Sequence, residues 1–101
     1  STTSSDTEKK LEILFQNVQD NTDLGETIHE LSLCWELSTM ESYNDYTDYS
    51  AEIGWNLAIA YLKDNDKKGA LAVLEKMATL YDADNVVGKR VRELQQKIEE
   101  L

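Results

Sequence analysis

The chain has 101 residues, of which 41% are hydrophobic and 30% charged, so it is expected to form one globular domain and not a disordered segment. It has no proline and four glycines, which disfavours a β-sheet domain with many tight turns and favours long helices. Its net charge of −10 makes nucleic acid and anionic membranes poor partners, because an acidic surface repels phosphate.

Two helices are expected in the first forty residues. The first begins at the capping box Ser5-Asp6-Thr7-Glu8 and ends near Gln19. The second begins after Asp23, which is expected to cap it. Apolar residues then recur every three or four positions, as on one face of a helix. In the second helix that face contains Leu24, Ile28, Leu31, Trp35 and, in addition, Cys34.

The stretch 42–49 is the least regular part of the sequence. Tyr43, Tyr46 and Tyr49 recur every three residues among Asn, Asp and Thr. Asn, Asp and Thr favour turns and caps over helix interiors. The stretch is therefore predicted to be a loop with at most one helical turn, whose tyrosine rings pack over the domain.

Three further helices are expected after this loop. Helical periodicity runs from Ala51 to Lys63 and again from Lys67 to Tyr81, with Asp66 capping the second of these helices. The last helix follows a break at 82–85, and its apolar stripe is Val87, Val91, Leu94, Ile98 and Leu101. Its polar side chains are expected to point outward, and they are Lys89, Arg90, Arg92, Gln95, Gln96 and Glu99. Five helices with short connections predict an all-α domain of antiparallel neighbours over residues 1–101.

The segment Gly54-Trp55-Asn56-Leu57-Ala58-Ile59-Ala60-Tyr61-Leu62-Lys63, followed by Asp66 and Gly69-Ala70-Leu71, resembles the tetratricopeptide repeat (TPR). Ala58 and Ala70 are small where two such helices cross closely. The resemblance implies TPR-like helix hairpins in a short right-handed α-α superhelix. In that scheme the stretch 50–84 is one repeat unit, 5–41 is a degenerate hairpin and 85–101 is a capping helix.

The segment departs from the TPR pattern at three places. Gly54 stands where the family has a large aromatic residue, and Trp55 follows it. Met77 replaces a small residue, and Asp82 replaces the closing proline. These departures weaken the consensus without breaking the helix pair.

The resemblance implies a concave groove that binds another protein. Its lining would be Glu52, Trp55, Ile59, Leu62 and Lys63. Three of these five residues are apolar, so an apolar or amphipathic peptide is the expected ligand. The TPR clamp for a terminal carboxylate is not expected, because it needs Lys and Asn where this chain has Trp55 and Ile59. Alternatively, the second helix or the tyrosine loop covers these side chains, and they belong to the core.

The sequence favours a protein-interaction module or scaffold. The alternative is a structural piece, either the end of a longer TPR array or a homodimer through the last helix. That helix carries only about two heptads, so packing onto the preceding helix is favoured over dimerisation. Residues 1–52 carry twelve acids and two bases, which favours a partner with a basic surface or else serves solubility alone.

Nothing in the sequence indicates an enzyme, a metal site or a cofactor. His29 lies in an acidic patch without a nucleophile partner, and Cys34 is expected to be a small core residue. The longest apolar run, Leu57–Leu62, is too short to cross a bilayer, so this segment is not expected to insert. The chain also resembles TPR tails of bacterial membrane-anchored proteins, which favours an extracytoplasmic location over a cytoplasmic one.

Overall fold

The computed structural model describes residues 23–39 and 47–101, with the backbone alone at 47–49. Within these ranges it contains four α-helices and no strand. The helices are α1 (Leu24–Ser38), α2 (Thr47–Lys63), α3 (Lys67–Leu80) and α4 (Val86–Glu99). The described part is therefore all-α, as the composition predicts. The helix expected over 5–19 lies outside the described residues.

The chain divides into two compact units, Ser1–Ile53 and Gly54–Leu101. The sequence had suggested one domain, and the boundary between the units falls inside α2. It coincides with the change in charge, because the first unit carries the whole net charge of −10. The second unit has eight acids and eight bases. The two units therefore differ in net charge.

In the first unit, α1 begins at the predicted cap. The Asp23 carboxylate accepts a hydrogen bond from the backbone N–H of Glu26 at 3.0 Å, which satisfies one of the unpaired donors at the helix start. Cys34 is fully buried, as expected for a core residue. The Ser50 hydroxyl donates to the carbonyl of Ser38 at 2.8 Å, and both serines are buried, so this bond joins the end of α1 to α2.

Helix α2 begins at Thr47, earlier than the sequence predicts. Residues 47–49 were assigned to the loop, and the structure places them in the first turn of the helix. Thr and Asp suit that position, because a helix start favours oxygen acceptors and negative charge. Tyr43 and Tyr46 and the side chain of Tyr49 lie outside the described residues, so the expected packing of these rings stays a prediction.

In the second unit, α2 and α3 are joined by a three-residue turn. Asn65 has φ 58°, in the left-handed region. The backbone N–H of Asn65 donates to the carbonyl of Leu62 at 3.1 Å, and that of Asp66 donates to the carbonyl of Tyr61 at 2.8 Å. This pair of bonds is the Schellman motif that ends many helices. Asp66 then caps α3 by accepting from the N–H of Gly69, which confirms the predicted cap.

The core of the second unit lies mainly between α2, α3 and α4. The small side chains of Ala58 on α2 and Ala70 on α3 are fully buried. The ring of Tyr61 lies against Gly69, where an added Cβ would be 2.7 Å from the ring. The other fully or almost fully buried side chains of this core are Leu57, Leu74, Met77, Val91 and Ile98.

Helix α4 packs against α3 and approaches the end of that helix closely. The Asn85 side chain caps α4 by accepting from the N–H of Val87 at 2.7 Å. Gly88 is buried in the first turn, and a Cβ there would overlap the backbone carbonyl oxygen of Asp82. Only glycine lets α4 approach the chain at this distance.

Arg92 is directed toward the protein, whereas the sequence suggests that it points outward with its charged neighbours on α4. Its Nη1 donates to the carbonyls of Tyr81 at 3.1 Å and Gly88 at 3.0 Å, and its Nη2 donates to that of Ala78 at 3.3 Å. The last carbonyls of a helix lack partners within that helix and attract positive charge. Arg92 therefore satisfies the end of α3, and the outward assignment was wrong.

Candidate functional site

Three of the predicted groove residues form a row on one face of α2. Trp55, Ile59 and Leu62 are spaced by four and three positions, which places them on the same side of a helix. All three are half-buried, whereas Leu57 on the opposite side of the helix is buried in the core. The row is thus apolar and still partly accessible, and we call it the Trp55 row.

The two charged residues of the predicted groove are both exposed. Lys63 is the last residue of α2 and follows Leu62 directly. Glu52 lies one turn before Trp55 on α2 but belongs to the first unit. The structure therefore brings together the apolar part of the predicted site in the second unit. Lys63 lies at the C-terminal end of that row.

Arg90 on α4 is a component of this surface that sequence reasoning missed. Its guanidinium carbon lies over the Trp55 ring, 5.8 Å from the ring centroid. At this distance the electron-rich face of the indole attracts the positive charge. Arg90 itself is exposed to solvent, and so is its neighbour Lys89. Helix α4 therefore contributes one cation to the surface formed by the Trp55 row.

A sequence signal for this arrangement exists in the spacing of buried residues. Gly54 and Gly88 lie 34 positions apart, and so do Leu57 and Val91. All four are buried. Arg90 lies 34 positions after Asn56, which is the residue next to Trp55.

Cys34 is the one cysteine of the chain, and its thiol is buried. Burial raises the pKa of the Cys34 thiol to about 11, and the negative charge of Glu30 adds to this effect. The thiol is therefore protonated at neutral pH and is a poor nucleophile. His29 is exposed on α1. Within 23–39 and 47–101, no group of three or more His, Cys, Asp or Glu side chains could hold a metal ion.

Comparison with known proteins adds no assignment. No protein-family model, curated protein or solved structure matches this chain. Among the helices that the structure describes, none combines the length and the apolar character needed to span a membrane.

Proposed function

We propose that residues 50–84 are a TPR-type helix pair and that α4 is the capping helix of a short right-handed α-α superhelix. Three observations support this proposal. The turn at Asn65 is tight, Ala58 and Ala70 are both fully buried, and two buried pairs, Gly54 with Gly88 and Leu57 with Val91, are each 34 residues apart. The three known departures at Gly54, Met77 and Asp82 remain compatible with the helix pair.

The proposed function is protein–protein interaction, in which the Trp55 row binds an apolar or amphipathic segment of a partner. The observation that carries this proposal is the partial exposure of Trp55, Ile59 and Leu62 on one helix face. Tryptophan is enriched among the residues that dominate binding energy. A helix or an extended segment laid along the row would bury the accessible parts of these side chains.

The second candidate function is a structural one, in which the chain is the end of a longer array or a homodimer. The burial of apolar side chains on α4 argues against a homodimer formed through that stripe. Val91 and Ile98 are already buried within the second unit, where α4 packs on α3. A dimer would therefore need another surface, such as the exposed side chains of Val86 and Leu101. The interaction module is the better supported of the two.

The interaction is tested with peptides selected from a random display library against the whole chain. We expect Trp55→Ala to weaken binding of the selected peptides by at least about tenfold, since a buried aromatic anchor contributes about 2 kcal/mol or more. Ile59→Ala should have a smaller effect in the same direction. Binding is measured by isothermal titration calorimetry.

The matched control is Leu33→Ala, which removes a partly exposed leucine from α1, outside the Trp55 row. It should leave peptide binding unchanged. Equal binding to the wild-type and Trp55→Ala chains would contradict the proposal. So would loss of the helical circular dichroism signal in Trp55→Ala, because Trp55 would then be part of the core.

A further inference from the structure

The contact between Arg90 and Trp55 places a guanidinium beside the Trp55 row before any partner is bound. The guanidinium carbon of Arg90 lies 5.8 Å from the centroid of the Trp55 ring, whose electron-rich face attracts the positive charge. The contact favours one position for a long side chain that is otherwise flexible. What this cation offers to a partner is an inference that rests on the proposed function and specifies the chemistry of the ligand.

The hydrogen-bond donors of Arg90 are not used within the described residues. Arg90 is exposed, and it makes no hydrogen bond or ion pair with any residue in 23–39 or 47–101. A guanidinium carries five N–H donors in a planar fork that matches the two oxygens of a carboxylate. Trp55 attracts the charge through its ring, so the N–H groups of Arg90 stay available to a carboxylate.

The charges beside the row favour an acidic group over a basic one. Over 54–63, the part of α2 in the second unit, the only charged residue is Lys63, and it is exposed. On α4, Arg90 is preceded by Lys89, which is also exposed. The negative charge that favours a basic partner surface belongs to the first unit, whereas the second unit has eight acids and eight bases.

The length of the row determines how the ligand is arranged. Trp55 and Leu62 are seven positions apart on α2, which is about 10 Å along a helix axis. Arg90 lies at the Trp55 end of this length. A ligand segment of two helical turns therefore spans the row, with a carboxylate at one end and apolar side chains along the rest.

We infer that the Trp55 row binds an amphipathic segment of another protein that carries a glutamate or aspartate one turn away from its apolar side chains. The carboxylate pairs with the guanidinium of Arg90, which Trp55 holds in position. The apolar side chains cover Ile59 and Leu62. The carboxylate is that of a side chain, so this mode differs from the clamp for a terminal carboxylate, which the sequence does not predict.

The test uses two short synthetic peptides, acetylated and amidated so that neither has a terminal carboxylate. Both have leucines at helical spacing, and one turn before the first leucine they have either glutamate or glutamine. Binding is followed by NMR through the indole N–H signal of Trp55 and the amide signals of Ile59 and Leu62. The salt concentration is about 0.15 M, where exposed charges more than about 8 Å apart are largely screened. The glutamate peptide should bind about three- to tenfold more tightly, as one charge-assisted pair predicts.

Arg90→Met should abolish this preference for glutamate, and Arg90→Lys should retain only part of it, because an ammonium lacks the planar fork. Lys89→Met is the matched control, since it changes the net charge by the same amount on the same helix. Lys89 is not the residue that lies over Trp55. If Lys89→Met and Arg90→Met reduce the preference equally, only the overall charge matters and the inference is wrong.

Trp55→Leu tests whether the ring positions the guanidinium. It leaves an apolar side chain in the row and removes the aromatic face that attracts Arg90. The glutamate peptide should then lose most of its advantage over the glutamine peptide. An unchanged advantage in this variant would show that Trp55 does not position Arg90, and the inference would be wrong in that respect.

The outcomes separate this inference from the proposed function. If both peptides shift the three signals and bind the wild-type chain equally, the row is a binding surface without an acid site, and only the inference fails. If neither peptide shifts them, the proposed function fails together with the inference. If the signals shift on raising the protein concentration alone, the occupant is a second copy of this chain, which also overturns the inference.

Discussion

The second unit has two connections between helices, and they satisfy the carbonyl groups at the preceding helix end in different ways. Between α2 and α3, the backbone closes the end of the helix by itself, through the left-handed Asn65 and two short-range hydrogen bonds. Between α3 and α4, a side chain does so from a distance. Arg92 lies 11 and 14 positions after the carbonyls of Tyr81 and Ala78 to which it donates. The first connection is therefore local, and the second depends on the docking of α4.

This difference affects how each connection responds to substitution. A local turn loses only its own conformational preference when one residue changes. A connection that depends on tertiary packing loses the cap and the helix contact together, because neither forms without the other. The end of α3 should accordingly be the more sensitive of the two.

The largest effect is expected for Gly88→Ala. The new methyl group would overlap the carbonyl of Asp82, and backbone atoms cannot move aside without displacing α4. We expect a loss of about 3 kcal/mol in the free energy of unfolding, at the upper end of the usual cost of overpacking. Urea denaturation followed by circular dichroism gives this value.

Gly69→Ala is the matched glycine substitution. Its methyl group would meet the Tyr61 ring at 2.7 Å and the Asp66 carboxylate at 2.8 Å, which are side chains that can shift. Alanine is also favoured over glycine in a helix, by up to about 1 kcal/mol at interior positions and by less in the first turn, where Gly69 lies. Gly69→Ala should therefore cost clearly less than Gly88→Ala. If both variants lose the same free energy of unfolding, the close approach of Gly88 to the Asp82 carbonyl does not make alanine especially unfavourable there.

The next largest effect is expected for Arg92→Met, which retains much of the apolar stem and removes the donors. The carbonyls of Ala78, Tyr81 and Gly88 would lose a charged donor, and hydrogen bonds to charged groups contribute about 1.5–3 kcal/mol. We expect a loss of about 2 kcal/mol, measured by the same urea titration.

Arg90→Met on the same helix provides the comparison for Arg92. Arg90 makes the cation–π contact and is exposed, so its replacement should cost less than about 1 kcal/mol. If Arg90→Met lowers the free energy of unfolding more than Arg92→Met does, then Arg90 and not Arg92 makes the more stabilising contacts.

A smaller effect than at Gly88 or Arg92 is expected at the local turn. Asn65→Ala places a Cβ without a hydrogen-bonding group in the left-handed region, at a cost of about 1 kcal/mol. Asn65→Gly should cost nothing, because glycine adopts this conformation freely. Thermal unfolding of the two variants distinguishes them, and equal melting temperatures would mean that φ at this position does not matter.

The same contrast between local contacts and contacts between helices explains which features could be predicted from the sequence. The caps at Asp23 and Asp66 were predictable because their partners lie three residues away. The break at Asp64–Asp66 was predictable for the same reason. The buried face of α3 follows from helical periodicity, which places Ala70, Leu74 and Met77 in the core.

The missed features depend on packing between helices. Charge alone places both Arg90 and Arg92 on a solvent face, since arginines are mostly exposed. Only the position of α4 decides that one guanidinium reaches the end of α3 and that the other lies over Trp55. The early start of α2 at Thr47 was missed because turn-forming residues also suit the first turn of a helix.

The turn at Asn65 also has a consequence for the chemical ageing of the protein. Asparagine loses ammonia when the backbone nitrogen of the next residue attacks its side-chain amide carbon and closes a five-membered ring. Here that nitrogen belongs to Asp66, and its hydrogen is held by the carbonyl of Tyr61 at 2.8 Å. Deamidation at Asn65 thus requires the end of α2 to open first, so the rate of this slow reaction records how often that helix end unwinds.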